Sequence, residues 1–203
     1  YLGTLGSVNV SANMSDSSSS DNCGIASLSI SKTTFNCSNI GYNTVKFKIV
    51  DVNSNKDSIN FIVNVKDTTR PTINTRDFTI YLDASGLANL SIDSVDLGST
   101  DVCGSVARTL TKSSFNCLNK GINTVTYSAK DVNGNIATAS LTITVLDTIY
   151  PTLSLKVATL YLDKFGSAKL NKMDIDNGSY DNCNIDSMKL SDTLFNCNQT
   201  FTF

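Results

Sequence analysis

The chain has 203 residues, 16 Lys and Arg against 18 Asp and Glu, a net charge of −2, and neither His nor Trp. Phosphate binding needs a basic footprint that is missing here, which argues against a nucleic-acid partner. The missing His removes the commonest general acid–base group and the commonest transition-metal ligand, and no apolar run approaches the ~18 residues of a membrane helix.

Taken in order, Val8, Val10 and Ala12 alternate with other residues, then Val45, Phe47 and Ile49, then Ile59, Phe61, Val63 and Val65. Past Pro71 the pattern starts over. Phe78, Ile80 and Leu82 alternate, Ala84-Ser-Gly86 turns the chain, and Ala88, Leu90 and Ile92 alternate again. A polar acidic loop covers Asp93 to Asp101, a short strand is predicted from Val106 to Leu110, and Thr111 to Lys120 is an irregular return. Val125, Tyr127 and Ala129 lead to the turn Asp131-Val-Asn-Gly-Asn135, and Ala139, Leu141, Ile143 and Val145 follow. Ala158, Leu160 and Leu162, then Ala168 and Leu170, open a third round. Period-two patterning with turn residues roughly every 8–12 positions predicts an all-β antiparallel sandwich. No stretch shows the 3.6 period of a helix.

The rounds are copies. Cys23, Cys103 and Cys183 stand 80 residues apart, as do Cys37, Cys117 and Cys197, and Tyr1/Tyr81/Tyr161, Gly6/Gly86/Gly166 and Phe35/Phe115/Phe195 keep the same register. The chain is therefore read as tandem immunoglobulin-like β-sandwich repeats of 80 residues. Residues 1–70 are a first repeat without its first strand, 71–150 a complete one, and 151–203 a third lacking its last strands, as in a piece of a longer array. The linkers Val65-Lys-Asp-Thr-Thr-Arg-Pro71 and Val145-Leu-Asp-Thr-Ile-Tyr-Pro151 are short and end in Pro, which extends the residue before it. Such joints predict an elongated rod, with about 35 Å per repeat for strands of about eleven residues.

Each repeat has two cysteines, 14 positions apart. A structural zinc site needs four ligands, usually in C-x-x-C pairs or with His, and neither pattern occurs. A disulfide inside each repeat (Cys23–Cys37, Cys103–Cys117, Cys183–Cys197) would close a loop of about 14 residues and add roughly 3 kcal/mol to a small core. That reading places the chain outside the cytoplasm. Phe35, Phe115 and Phe195 are expected to cover the bridges in the core, and Tyr1, Tyr81 and Tyr161 to lie in strands.

The sandwich topology gathers acidic turns at the pole facing the preceding repeat. Asp67, Asp96, Asp101, Asp131, Asn133 and Asn135 are expected to converge at one junction, with Asp147, Asp176 and Asp181 repeating part of the set at the next. A hard cation such as Ca²⁺ takes six to eight such oxygens. Turn chemistry favours the same residue types, and the spacing is not an EF-hand loop. Calcium at the repeat junctions is the one cofactor these residues suggest.

The combination Asp-Asn-Cys, Phe-Asn-Cys, Gly-x-Asn-Thr-Val, Asp-Val-Asn-Gly-Asn and Val-x-Asp-Thr-x-x-Pro resembles repeats of giant gliding-motility surface adhesins of Bacteroidetes (SprB-type) and, more distantly, hyalin-type immunoglobulin-like repeats. The resemblance covers the whole chain. It implies type IX secretion, display as an outer membrane-attached filament, and attachment to extracellular surfaces or polysaccharide during gliding. Motility or secretion machinery would be engaged through parts outside this chain. It also implies O-glycans on Asp-Ser/Thr triplets, here at Ser58, Thr68, Ser94, Thr148, Ser187 and Thr193, with Thr68 and Thr148 at matching linker positions. An enzyme is not expected, because without His no familiar nucleophile relay exists and the carboxylates recur in turns rather than one cleft. The alternative is a passive stalk for an active domain elsewhere in a secreted protein.

Overall fold

The computed structural model describes residues 1–198. In the first repeat the strands are β1 (Ser7–Asn9), β2 (Ile25–Ile30), β3 (Thr34–Asn36), β4 (Gly41–Asp51) and β5 (Lys56–Val65). β1 pairs with β3, and β2-β4-β5 form an antiparallel sheet. Alternate residues of β4 point inward, so Val45 and Phe47 are buried. Val45, Leu2, Phe35 and Val65 form a core against Val8, Val10, Ile30, Phe61 and Val63.

The second repeat has β6 (Phe78–Tyr81), β7 (Leu87–Asn89), β8 (Val106–Leu110), β9 (Ser114–Asn116), β10 (Gly121–Asp131) and β11 (Ile136–Leu146). Its main sheet runs β6-β11-β10-β8, and β7 pairs with β9. Val125, Tyr127 and Ala129 of β10 and Leu141, Ile143 and Val145 of β11 are buried, as period-two patterning requires. The sheet departs from the antiparallel expectation at one edge, where β6 runs parallel to β11 with Ile143 opposite Phe78. β6 and β11 are separated by the whole repeat rather than joined by a hairpin, so no tight turn imposes the antiparallel sense.

Strand alternation also ends earlier than the sequence suggests. Ala12 and Ile92 begin single helical turns, Ala12–Ser15 and Ile92–Val95. In the second, the Ser91 side chain accepts the Asp93 N–H and starts the turn, and Val95 is fully buried. One turn is too short to leave a helical period.

In the third repeat β12 (Ser167–Lys169) pairs with β13 (Leu194–Asn196), after a helical turn at Lys172–Ile175. The strand expected through Ala158, Leu160 and Leu162 does not form. In the second repeat the corresponding segment, Phe78–Tyr81, is held by β11. Leu153, Leu155 and Val157 are exposed.

The chain divides into two compact units that do not follow the sequence repeat. One comprises Tyr1–Asp77, Ser91–Thr111 and Val125–Leu141. The other comprises Phe78–Leu90, Lys112–Thr124 and the described residues from Thr142 on. Each unit therefore holds one joint between consecutive repeats.

Candidate functional site

The sulfurs bond between repeats, not within them. Cys37 pairs with Cys103 and Cys117 with Cys183, each pair 66 residues apart in sequence with Cα–Cα distances of 5.1 and 5.2 Å. Cys23 and Cys197 are free and exposed. The expected pairs Cys23–Cys37, Cys103–Cys117 and Cys183–Cys197 are thus overturned. The first repeat shows the reason. Ile25, two residues after Cys23, lies opposite Asp51 at the far end of β4, and the Gly24 carbonyl accepts the Val52 N–H. Cys37 instead precedes the β4 start at Gly41. An eleven-residue strand spans about 33 Å, and a disulfide tolerates no more than about 7 Å between Cα atoms.

Local turns aim the bonded cysteines. Asn36 accepts the Ser38 N–H, and Asn39 Oδ1 accepts the Asn36 N–H at 3.1 Å, closing a 3₁₀ turn over Cys37–Asn39. Asn116 and Asn119 repeat this around Cys117. The Cys37 Sγ then lies 3.6 Å from the Gly6 carbonyl oxygen, and the Cys117 Sγ 3.7 Å from that of Gly86. Gly6 and Gly86 have φ of +66° and +73°, and a Cβ there would stand 2.9 Å from Cys37 Sγ and 2.7 Å from Cys117 Sγ. Glycine is required twice over, by the left-handed backbone and by the sulfur against it. Phe35 and Phe115 are buried beside these turns, each with a lysine ammonium (Lys32, Lys112) over its ring.

Of the residues expected to gather at the first junction, Asp67, Asp101 and Asp131 come together, with one carboxylate oxygen of each within 4.8 Å of the others. Asp67 follows β5, Asp101 precedes Cys103, and Asp131 closes β10. Asp67 and Asp131 are 7% and 5% exposed, so two of the three carboxylates are withdrawn from water. Turn chemistry occupies one oxygen of each. Asp67 Oδ1 accepts the Thr69 N–H, Asp101 Oδ1 the Cys103 N–H, and Asp131 Oδ1 those of Asn133 and Asn135. Asn133 Nδ2 reaches Asp67 Oδ2 and Asn135 Nδ2 reaches Asp131 Oδ2, at 2.9 and 2.7 Å. Asp101 Oδ2 is buried and accepts nothing. Arg108 pairs with Asp93 and Asp96 and Lys120 stands near Asp147, so neither contacts this cluster.

Asp96 is committed elsewhere. Its carboxylate accepts from Ser99 Oγ at 2.6 Å, Tyr127 Oη at 3.0 Å and the Arg108 guanidinium, and its side chain is 3% exposed. Burial alone would raise its pKa. The hydrogen bonds of Ser99, Arg108 and Tyr127 overcome that and hold it well below the usual carboxylate range. This network was not legible as a unit, since its members come from the acidic loop, β8 and β10. The corresponding residues of the first repeat, Leu28 and Phe47, cannot form it.

At the second joint, Asn182 Nδ2 donates to Asp147 Oδ1 and to the Asp83 carbonyl, both at 3.1 Å, and Lys120 Nζ stands 3.9 Å from Asp147. Asp181 Oδ1 accepts the Cys183 N–H, and Asp176 Oδ1 the Ser179 N–H. Asp147 and Asp181 occupy the positions of Asp67 and Asp101, and no third carboxylate gathers with them among the described residues. Of the glycan candidates, Ser58, Thr68, Thr148, Ser187 and Thr193 are exposed and Ser94 is half-buried.

No protein-family model matches the chain, and no curated protein is significantly similar to it. Solved structures similar to it include extracellular cadherin domains 1–4 of protocadherin gamma B7, at 10% identity and a TM-score of 0.34, covering 71% of this chain and 49% of that one. Another is the EC1–4 segment of PcdhgB3, at 12% identity and a TM-score of 0.34, covering 74% and 48% respectively. The chain spans about half the length of these structures. No helix among the described residues is long and apolar enough to cross a membrane.

Proposed function

We propose that this chain is a repeat segment of a long adhesin filament displayed outside the cell, where its disulfide-linked β repeats bear load between the cell and what it attaches to. The carrying observation is the pairing of Cys37 with Cys103 and Cys117 with Cys183. Each bridge ties one repeat to the next and bypasses the linker. A load entering at one end therefore crosses each joint through a covalent bond as well as through the backbone. Two such bridges fit an oxidising, extracytoplasmic compartment. Gliding motility, type IX export and outer-membrane attachment rest on the resemblance of the cysteine, turn and linker motifs to SprB-type repeats. Extracellular surfaces or polysaccharide are the partners that reading supplies, no enzymatic step is assigned, and Thr68 and Thr148 are the first candidates for O-glycans.

The test uses living cells that carry the parent protein. Surface biotinylation should label the repeats on intact cells, and in-frame removal of repeats with the distal region kept should reduce attachment under flow. Repeats that stay unlabelled until the cells are lysed would overturn the reading. Soluble chain added in excess should compete for attachment if the repeats themselves grip, and leave it unchanged if they act as a stalk.

A further inference from the structure

The geometry points to a divalent-cation site for Ca²⁺ built by Asp67, Asp101 and Asp131, in which the ion joins the linker of one repeat to two loops of the next. Turn chemistry explains why acidic residues stand at each position, because one oxygen of each carboxylate accepts local backbone N–H groups. It does not explain why three carboxylates from distant parts of the chain face one another within 4.8 Å, two of them more than nine-tenths buried. Nor does it explain the Asp101 Oδ2, which is buried without a donor although burial of an unpaired polar oxygen is costly. A cation answers both observations. It neutralises carboxylates that the ion-paired Arg108 and Lys120 do not contact, and it gives Asp101 Oδ2 a partner.

Ca²⁺ fits better than its competitors. The donors are all oxygens, which suits a hard cation, and the three carboxylates offer one each, with the Asn133 and Asn135 side-chain carbonyls next to them in sequence and water to complete the shell. Ca²⁺ takes six to eight oxygens in flexible geometry, whereas Mg²⁺ demands a near-ideal octahedron and keeps its waters. The site narrows the acidic set read from sequence. Asp96 is excluded by Arg108 and Tyr127, and no third carboxylate gathers with Asp147 and Asp181 among the described residues. The inference holds whether the array grips or only spaces.

The experiment is calorimetric titration and thermal melting of the full oxidised chain with Ca²⁺, Mg²⁺ or chelator, at constant ionic strength near 0.15 M so that screening is held fixed. Wild type should bind one Ca²⁺, with a dissociation constant on the order of 10⁻⁴–10⁻³ M as in extracellular modules. At about ten times that constant the folded-to-unfolded ratio should rise roughly tenfold. Asp101→Asn keeps the oxygen that accepts the Cys103 N–H and should weaken binding at least tenfold, a loss on the scale of a missing metal-site partner. Asp181→Asn, at the incomplete joint, should leave binding unchanged. The proposal is overturned by the absence of heat and melting shift up to about 10 mM Ca²⁺, above the extracellular range. An equal response to Mg²⁺, or an Asp101→Asn protein that binds as wild type does, would overturn it as well.

Discussion

Because Cys37 bonds Cys103 and Cys117 bonds Cys183, stretching the chain from its ends should leave two loops untouched. Each bridge encloses 66 residues of sequence. An extended chain spans at most about 3.3–3.6 Å per residue, so each loop withholds roughly 215–240 Å of contour, less the bridge itself. The bridge is short, with 5.1 and 5.2 Å between Cα atoms. Pulled by tags on its two ends in a force spectrometer, the oxidised chain should therefore extend about 450 Å less than the reduced one. Cys103→Ser alone should release one increment of about 230 Å. Bridges inside the repeats would enclose only 14 residues, and each would release about 45 Å on reduction. Increments of that smaller size would refute the cross-repeat architecture, as would equal lengths with and without reductant. Blocking thiols before reduction gives the chemical counterpart, with Cys23 and Cys197 labelled and the other four protected. The larger loop also matters for stability. Closing 66 residues removes about 4.3 kcal/mol of unfolded-state entropy, against about 3 for a loop of 14.

Three further substitutions probe the parts that hold the joints. Gly86→Ala places a Cβ 2.7 Å from both Cys117 Sγ and the Asn182 carbonyl oxygen at a φ of +73°; it should lower stability by about 2 kcal/mol or more and slow closure of Cys117–Cys183, read by melting and by thiol trapping during refolding. Ser54 occupies the place of Gly134 with φ of +72° while the turn keeps its bonds, Asp51 N–H to the Asn55 carbonyl at 3.0 Å, so Ser54→Gly should stabilise by about 1 kcal/mol in a denaturant titration. Asp96→Asn should cost about 2 kcal/mol at neutral pH by weakening the charged hydrogen bonds of Arg108, which stays partly solvated and paired with Asp93. The folded pKa of Asp96 lies below its unfolded value, so its contribution is complete above pH ~4 and is lost as pH falls further. The gap between wild type and Asp96→Asn in melting temperature should therefore narrow only in strong acid, and a gap that closes already near pH 5 would contradict the network.

Much of the fold was legible because a half-buried strand writes its period into the sequence. Val106 to Leu110 is a strand with those same limits, and Val125, Tyr127 and Ala129 face inward as alternation requires. The parallel edge was hidden, since pairing sense lies in the path of the chain between β6 and β11 and not in either segment. The acidic cluster was half legible. Position along the repeat brought Asp67, Asp101 and Asp131 to one pole, but only side-chain geometry shows that Asp96 turns away to Arg108 and Tyr127.

The sulfur pairing was hidden for a stricter reason. In a chain that repeats every 80 residues, Cys103 has one cysteine 14 positions after it and another 66 before it, and the two distances together make one period. Any spacing argument that fits one pairing has the other as its complement, so the preference for the nearer sulfur rests on proximity along the chain alone. What separates the two is the length of β4 and β10, eleven residues each. That length is masked in the sequence, because the first residues of these strands carry Tyr42 and Ile122 outward at 81% and 79% exposure and break the apolar alternation. In the first repeat a long β4 carries the start of β2 and the end of β3 to its opposite ends, so Cys23 and Cys37 cannot meet. The sulfur that Cys37 can reach belongs to the next copy of the unit, and Gly6, kept in register with Gly86 and Gly166, marks where the bridge passes.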